Sequence, residues 1–396
     1  MAADRDTIGR IFRAEAGRSV AALMTMFGDL DLAEDAVQDA FAIAVRRWPD
    51  DGLPPNPGAW ITTTARHRAI DKVRRDARGN ELLRRAAVET SETVPDDRLR
   101  LLFTCCHPSL APQSQVELTL RLLCGLSTAE VARAFLTTEA TMAKRLVRTK
   151  HKIKAANIPY RTPGDTELPG RLHAVLTAVY LTYTTGYGQP GSSPDLTEEA
   201  IRLGRTLRLL MPDEAEVAGL LALMLLTQAR RRSRTDPAGE LVLLRDQDRR
   251  LWDRELIQEG HRLVLWCLRR DQPGRFQVEA AIAAVHADAA VFDDTDWTQI
   301  LALYNQLIAV APTPVVALNR AVAVGEVHGA ARGLHELDQL NLAGYYPFHA
   351  ARAEFLARQG RTDDAAEAFR TAASLAPDSP ERDYLTRRGA QITEVR

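Results

Sequence analysis

Ala111–Lys154 reads APQSQVELTLRLLCGLSTAEVARAFLTTEATMAKRLVRTKHKIK, and its punctuation decides the kind of fold the chain adopts. The first helical run stops at Gly125, since glycine suits the left-handed residue that commonly ends a helix. Ser127 follows as an N-cap with Glu130 three residues on, the capping-box arrangement. The short helix TAEVARAF leads into a tight turn at Leu136-Thr137, and a longer helix starts near Thr138. Met142, Leu146 and Ile153 form the apolar stripe of that last helix. Lys144, Arg145, Arg148, Lys150, Lys152 and Lys154 cover the remainder, with no acid between Glu139 and Asp165. Two short helices, the second of them basic, make a helix-turn-helix whose second helix enters a DNA major groove through its N-terminal residues. A solvated basic helix in a bundle is the plainer alternative.

Upstream, the chain from Asp29 reads DLDLAEDAVQDAFAIAVRRWP. Val37, Phe41, Ala44 and Trp48 recur at steps of three or four and share one helix face, while Asp31, Glu34, Asp35, Gln38 and Asp39 fall on others. This predicts an amphipathic helix with an acidic N-terminal surface, which could equally be a solvated face suited to the helix dipole. Next comes PGAWITTTARHRAIDKVRRDAR, where Arg66, Arg68, Lys72, Arg74, Arg75 and Arg78 gather beside Trp60 and His67. Basic groups neutralise phosphates, and an aromatic with threonines at the start of the same helix suits stacking on unpaired bases.

Apolar residues recur at helical spacing along nearly the whole chain, so the predicted fold class is all-α. Breaks fall at Pro49–Pro57, Glu89–Asp97, Pro159–Pro169 and Gly186–Pro194. The 396 residues, 45% hydrophobic and 26% charged, suit two or three packed domains and argue against disorder or a disulfide scaffold. No apolar run nears the roughly 20 residues a bilayer requires, and MAADRDTIGRIF lacks a signal peptide's apolar stretch, so a cytoplasmic protein is expected. The net charge of −1 hides an asymmetry. Residues 1–164 hold 25 Lys and Arg against 20 Asp and Glu, the remainder 26 against 32, so the N-terminal part is the candidate for a polyanion. Cys105, Cys106, Cys124 and Cys267 are expected as buried thiols; Cys105-Cys106-His107 tempts a metal reading, but adjacent cysteines do not readily face one tetrahedral ion. Neither metal nor cofactor is expected. No Walker loop, GxSxG or HExxH motif is present, so nothing supports an enzyme. The run Arg230, Arg231, Arg232 and Arg234 reads as a solvated loop, with an acidic partner or DNA as the alternative.

The C-terminal part repeats itself. At an offset of 35 residues Gly325 matches Gly360, Ala330 Ala365, Ala331 Ala366 and Leu334 Phe369, a period that resembles tetratricopeptide (TPR) repeats. A third, degenerate copy ends near Tyr304 and Pro312.

AEDAVQDAF, then AWITTTARHRAIDKVRR, then LSTAEVARAFLTTEATMAKRLVRTKHKI together resemble, over residues about 8–155, a bacterial sigma factor of the extracytoplasmic-function group. The remainder resembles the subgroup with a long helical C-terminal extension carrying TPR-like repeats, LVLLRDQDRRLWDRELI being similar to its most recognisable stretch. Two positions depart from the pattern: His67 stands where many such factors have Asn, and Ala143-Lys144 replaces a commoner basic-then-Ser pair. The resemblance implies core RNA polymerase and promoter DNA as partners, with a protein or peptide ligand for the TPR-like extension. Asp31, Glu34, Asp35, Gln38 and Phe41 would meet polymerase. Trp60, Thr63, Arg66, His67, Arg74 and Arg75 would hold the melted minus-ten strand, and Thr138, Ala140, Thr141, Lys144, Arg145 and Arg148 the minus-thirty-five major groove. It also implies sigma region 2 at residues 1–88, a linker at 89–97, region 4 at 98–158, a linker at 159–168, a helical extension at 169–275 and TPR-like repeats at 276–396. The extension would regulate or assist activity. The rival reading is a TPR-type interaction scaffold, or a helix-turn-helix regulator that is not a sigma factor.

Overall fold

A computed structural model of the chain describes residues 4–75, 96–135, 137–187, 196–377 and 379–394. Most of the breaks expected around 89–97 and 186–194 lie outside them, as do Leu136 and Arg78. The described residues form eighteen α-helices and no strand, beyond one isolated bridge between Thr235 and Leu241. They divide into two compact units, Met1–Pro212 and Asp213–Arg396.

The first unit opens with three long helices. Asp4 caps α1 (Arg5–Phe27) by accepting the Thr7 N–H, and Gly28, at φ 66°, lets the chain turn back into α2 (Leu30–Asp51). The third is α3 (Pro57–Arg75), held on α1 by a 2.9 Å hydrogen bond between Ser19 and Thr62. Ile8, Phe12, Leu23, Val37, Ala40, Ala44, Trp48, Ile61, Ala65 and Ala69 fill the space between them. The expected α2 stripe of Val37, Ala44 and Trp48 is buried, while Phe41 is half-buried against the Phe12 ring 4.1 Å away.

Four shorter helices follow: α4 (Asp96–Cys105), α5 (Pro112–Leu122), α6 (Thr128–Ala134) and α7 (Glu139–Ala155). The capping box expected at Ser127 and Glu130 is formed, and Gly125 ends the preceding run at φ 69°. Thr138 is the N-cap of α7, and Met142, Leu146 and Ile153 are buried, joined by Thr149. Helix α5 is buried from Gln115 to Leu120 because neighbours cover it on every side.

One of those neighbours is α8 (Leu168–Tyr187), which with α9 (Leu196–Leu210) completes the unit. These two helices pack with α4 and α5, and the unit boundary falls after Pro212, within the span 169–275 expected as a helical extension. Arg171 is buried and donates at 2.6 Å to the Phe103 carbonyl; the Tyr160 hydroxyl lies 3.0 Å and 3.1 Å from the carbonyls of Ala21 and Asp97, joining α1 to α4. The thiols of Cys105, Cys106 and Cys124 lie inside this unit, and burial pushes those of Cys106 and Cys124 up to about 12.

The second unit is a succession of helices, each packed on those next to it: α10 (Ala215–Ala229), α11 (Arg254–Leu268), α12 (Arg275–Asp288), α13 (Trp297–Val310), α14 (Pro314–His328), α15 (Ala330–Leu337), α16 (Tyr346–Arg358), α17 (Thr362–Leu375) and α18 (Pro380–Glu394). The 35-residue repeat is visible in what it buries, since Leu334 and Leu337 of α15 correspond to Phe369 and Ala372 of α17. The matched glycines nonetheless do different work. Gly325 sits inside α14 where a Cβ would collide with the Phe355 ring, whereas Gly360 occupies a turn at φ 73°. The run from Arg230 is not a free loop: Arg230 follows α10, residues 231–233 form a short 3-10 turn, and Arg234 pairs with Glu381 of α18.

His286, at the end of α12, packs edge-on against Trp297, and its Nδ1 is buried with no hydrogen-bond partner among the described residues. Burial, with the nearby positive charges of Arg230 and Arg249, pushes its pKa from 6.5 down to about 4. A folded-state pKa below the unfolded one means that neutral His286 stabilises the unit above pH 6.5, and that this is lost as pH falls from 6.5 towards 4. The expected loss at the acid end is about 3 kcal/mol. Urea titrations at pH 7 and pH 4.5 should therefore differ less in His286→Gln than in the unaltered protein, and an equal difference would refute the assignment.

Candidate nucleic-acid interface

Helices α2 and α3 lie side by side, from the Trp48–Trp60 contact, with ring centroids 5.2 Å apart, to the Asp35–Lys72 pair near their other ends. The cleft between them has a volume of about 560 Å³ and is lined by Ile43, Arg46, Arg47, Trp60, Thr64, His67, Arg68 and Asp71. Trp60 is half-buried with one side in this cleft, while Thr63, His67, Arg74 and Arg75 are exposed along α3 and Arg66 is half-buried. The arrangement offers an aromatic wall, an imidazole and three guanidiniums around a space roomy enough for an unpaired base, with its phosphates outside. Ile43, Arg46, Arg47, Thr64, Arg68 and Asp71 are the lining residues that sequence reasoning leaves out of the site. The signal is AVRRWP, whose two arginines immediately precede the α2 tryptophan.

The second cationic surface is α7. Thr138, Ala140, Thr141, Lys144 and Arg148 are exposed, and the Thr138 hydroxyl accepts the Thr141 N–H, fixing the N-terminal turn that a major-groove helix presents first. Arg145 differs, being half-buried and paired with Glu117 of α5, which is 1% exposed. Burial raises the Glu117 carboxyl above its usual range despite the neighbouring guanidinium of Arg145. This pairing is illegible in sequence because the acid lies on another helix.

The acidic surface of α2 is occupied. Glu34, expected on a polar face, is 7% exposed and accepts from Arg121 of α5 at 2.6 Å and from Lys150 of α7 at 3.0 Å. Lys150 also meets Asp31 at 2.7 Å, and Lys154 lies 3.0 Å from Asp31 and 3.4 Å from Asp29. Burial alone would lower the Lys150 pKa, but Glu34 and Asp31 outweigh it and hold the ammonium above its ordinary value. Asp31 is likewise lowered, its lysine partners overcoming the cost of burial. Asp35 is exposed and pairs with Lys72 of α3, and Gln38 is half-buried.

Among the described residues no group of three or more His, Cys, Asp or Glu side chains is placed to hold a metal ion, and no helix is long and apolar enough to cross a membrane.

Residues 11–79 match the family Sigma-70 region 2, and residues 100–153 match Sigma-70, region 4, so α1–α3 and α4–α7 are the two halves of one architecture. The chain belongs to the sigma-70 family. The spacing of the two regions is that of the extracytoplasmic-function type, and α6–α7 is the region 4 helix-turn-helix of a promoter-recognition factor. Proteins of this family are transcription factors, not enzymes. Residues 171–267 of the sigma factor match a family of unknown function (DUF6596), a span that starts in α8 and ends in α11, across the boundary between the two units. An uncharacterized protein of Rhizobium meliloti (strain 1021) is 42% identical over 387 residues, covering 93% of this chain and 92% of its own, so the similarity includes the extension.

Proposed function

We propose that this sigma factor binds core RNA polymerase through α2, opens the minus-ten element in the α2–α3 cleft and reads the minus-thirty-five element with α7, acting in the cytoplasm. The observation that carries this is the cleft itself: Trp60 and His67 sit among Arg46, Arg47 and Arg68, on the helix pair matched by region 2. In this reading Asp31, Glu34, Asp35, Gln38 and Phe41 meet a basic surface of polymerase. Trp60 stacks on a displaced base, contributing about 1 to 3 kcal/mol. Thr63, Arg66, His67, Arg74 and Arg75 hold the melted strand. Thr138, Ala140, Thr141, Lys144 and Arg148 face base edges and phosphates, while Arg145 sets the pitch of α7 from its seat on Glu117. The extension assists through α8 and α9, and the stacked TPR-like pairs of the second unit offer a surface to a protein or peptide that adjusts activity.

Run-off transcription with purified core polymerase tests the whole. Transcripts should start downstream of particular promoters only when the chain is added, and no stimulation on any promoter would refute it. Within that assay Arg148→Ala should lose about 1 to 3 kcal/mol of discrimination at one base pair, because a bidentate guanidinium contact to a guanine edge is removed. A variant bound with unchanged base preference would show that Arg148 touches phosphate only.

A further inference from the structure

A cavity of about 320 Å³ lies within the second unit where α11, α12 and α13 meet. Val264 and Leu268 of α11, Val278 and Ala281 of α12 and Leu303 of α13 make its walls largely apolar. Its polar groups are one-sided. Gln277, 8% exposed, gives both amide hydrogens away, to the Glu216 carboxylate at 3.1 Å and to the Gln272 carbonyl at 2.8 Å. Both partners can only accept, so the amide cannot be turned round, and its carbonyl oxygen is left with no donor among the described residues. Asp271 is the second acceptor in the lining. It follows α11 at φ 48°, a left-handed conformation uncommon outside glycine. Its carboxylate makes no ion pair among the described residues, while neighbouring Arg270 is held by Asp213 at 2.9 Å and lies over the Trp266 ring. We infer that this cavity binds a small organic ammonium ion, an apolar chain or ring carrying a protonated amine.

The lining sets that class. A free carbonyl oxygen and a carboxylate, with no Lys, Arg or His beside them in the lining, call for a ligand that donates and carries positive charge. An anion would meet Asp271 unopposed, and a wholly apolar ligand would strip water from the Gln277 oxygen without replacing its hydrogen bond. Leu268 is 64% exposed, an apolar surface that a chain lying against it would cover. With about 30 Å³ as one water's share of liquid volume, the space equals about ten waters, room for an amine of about ten non-hydrogen atoms. The acceptor is also held in place before any ligand arrives. Glu216 accepts the backbone N–H groups of Phe276 and Gln277 at 3.2 Å and 3.3 Å, so Gln277 is fixed by main chain and side chain together. Gly219 of α10 allows this approach, since a Cβ there would lie 2.6 Å from the Gln277 nitrogen. A site whose polar group is already oriented loses less freedom on binding. All of these residues belong to the second unit, so the site stands whether or not α2 meets polymerase.

Isothermal titration of the full-length protein with n-octylammonium, 1-octanol and octanoate tests this. Octylammonium should bind at a single site per chain, octanol several-fold more weakly, and octanoate not measurably. Hexylammonium should bind roughly 15-fold more weakly than octylammonium, about fourfold for each methylene withdrawn from apolar surroundings. Two variants locate the site. Asp271→Asn keeps the backbone, because asparagine tolerates the left-handed conformation, and should weaken octylammonium roughly 2- to 5-fold while leaving octanol unchanged. Ala281→Trp fills the cavity and should abolish binding of both, with circular dichroism confirming that the helices are intact. Octanol or octanoate binding as tightly as octylammonium would overturn the assignment of charge. Octylammonium binding undiminished in folded Ala281→Trp, or no saturable binding of octylammonium up to millimolar concentration, would overturn the site itself.

Discussion

A chain ending at Pro163 is expected to fail to fold, whereas one ending at Pro212 is expected to keep a cooperative melting transition. The first cut removes α8 and α9, which bury Leu172, Val175, Leu176, Val179, Tyr183, Ile201, Leu203 and Leu207. Burying one such side chain contributes roughly 1.5 to 3 kcal/mol, and α4 and α5 lose their own cover at the same time. Arg171 also leaves the Phe103 carbonyl, which is buried with it. Against a net stability of about 5 to 15 kcal/mol, that loss is decisive. Circular dichroism melts and dye binding to exposed apolar surface distinguish the two fragments. A Pro163 fragment that melts like the longer one would show that the first two extension helices are accessories of the promoter-reading part. Loss of transcription in a truncation at Pro163 therefore reports a damaged fold, and only the Pro212 truncation reports what the second unit contributes.

Glu34→Ala is expected to destabilise the first unit by about 3 to 5 kcal/mol, far more than an acid on a solvated helix face would. The carboxylate is the shared partner of Arg121, whose side chain is 13% exposed, and of Lys150, 14% exposed. Removing it leaves two poorly hydrated cations that share no acceptor, Arg121 keeping the Leu126 carbonyl and Lys150 keeping Asp31. Replacing Glu34 and Arg121 together with leucine and methionine should restore much of the stability, since a buried ion pair is commonly no better than apolar residues of similar volume. Urea unfolding of the single and double variants is the measurement. A loss below about 1 kcal/mol in the single variant would place Glu34 among ordinary surface acids.

What the sequence discloses and what it hides divide along one physical line. Ser127, Glu130, Gly125 and the Met142–Leu146–Ile153 stripe are local devices, each acting within a turn or two of the chain, and all are legible in the order of residues alone. The α2 face of Val37, Ala44 and Trp48 is legible for the same reason. Glu34 and Asp31 look solvated in sequence because their partners Lys150 and Lys154 lie more than a hundred residues downstream. Arg145 looks free because Glu117 sits across the helix-turn-helix. The cleft needs α2 and α3 to pack side by side to bring Arg46 and Arg47 beside His67. The break at residues 159–169 reads as a domain boundary because proline and glycine mark turns, and turns alone do not say which helices pack together. Mid-helix Gly17 and Gly325 carry the trace of a close approach without naming Leu123 or Phe355 as its cause.

The segment between α10 and α11 changes how the second unit should come apart. A linear stack of helices, each touching only those next to it, frays from its ends, so its terminal helix normally exchanges amide protons well before the middle does. Here Arg234 grips Glu381 and Arg387 grips Glu240, joining the segment after the first helix to the last across 147 residues of chain. The same segment is fastened at Trp252, whose indole donates to Ser233, and at Arg249, which donates to the carbonyl of Ala289. The last helix of the stack is thereby tied to its beginning. Amide protection in α18 should then approach that of α10, and the unit should open in a single cooperative step.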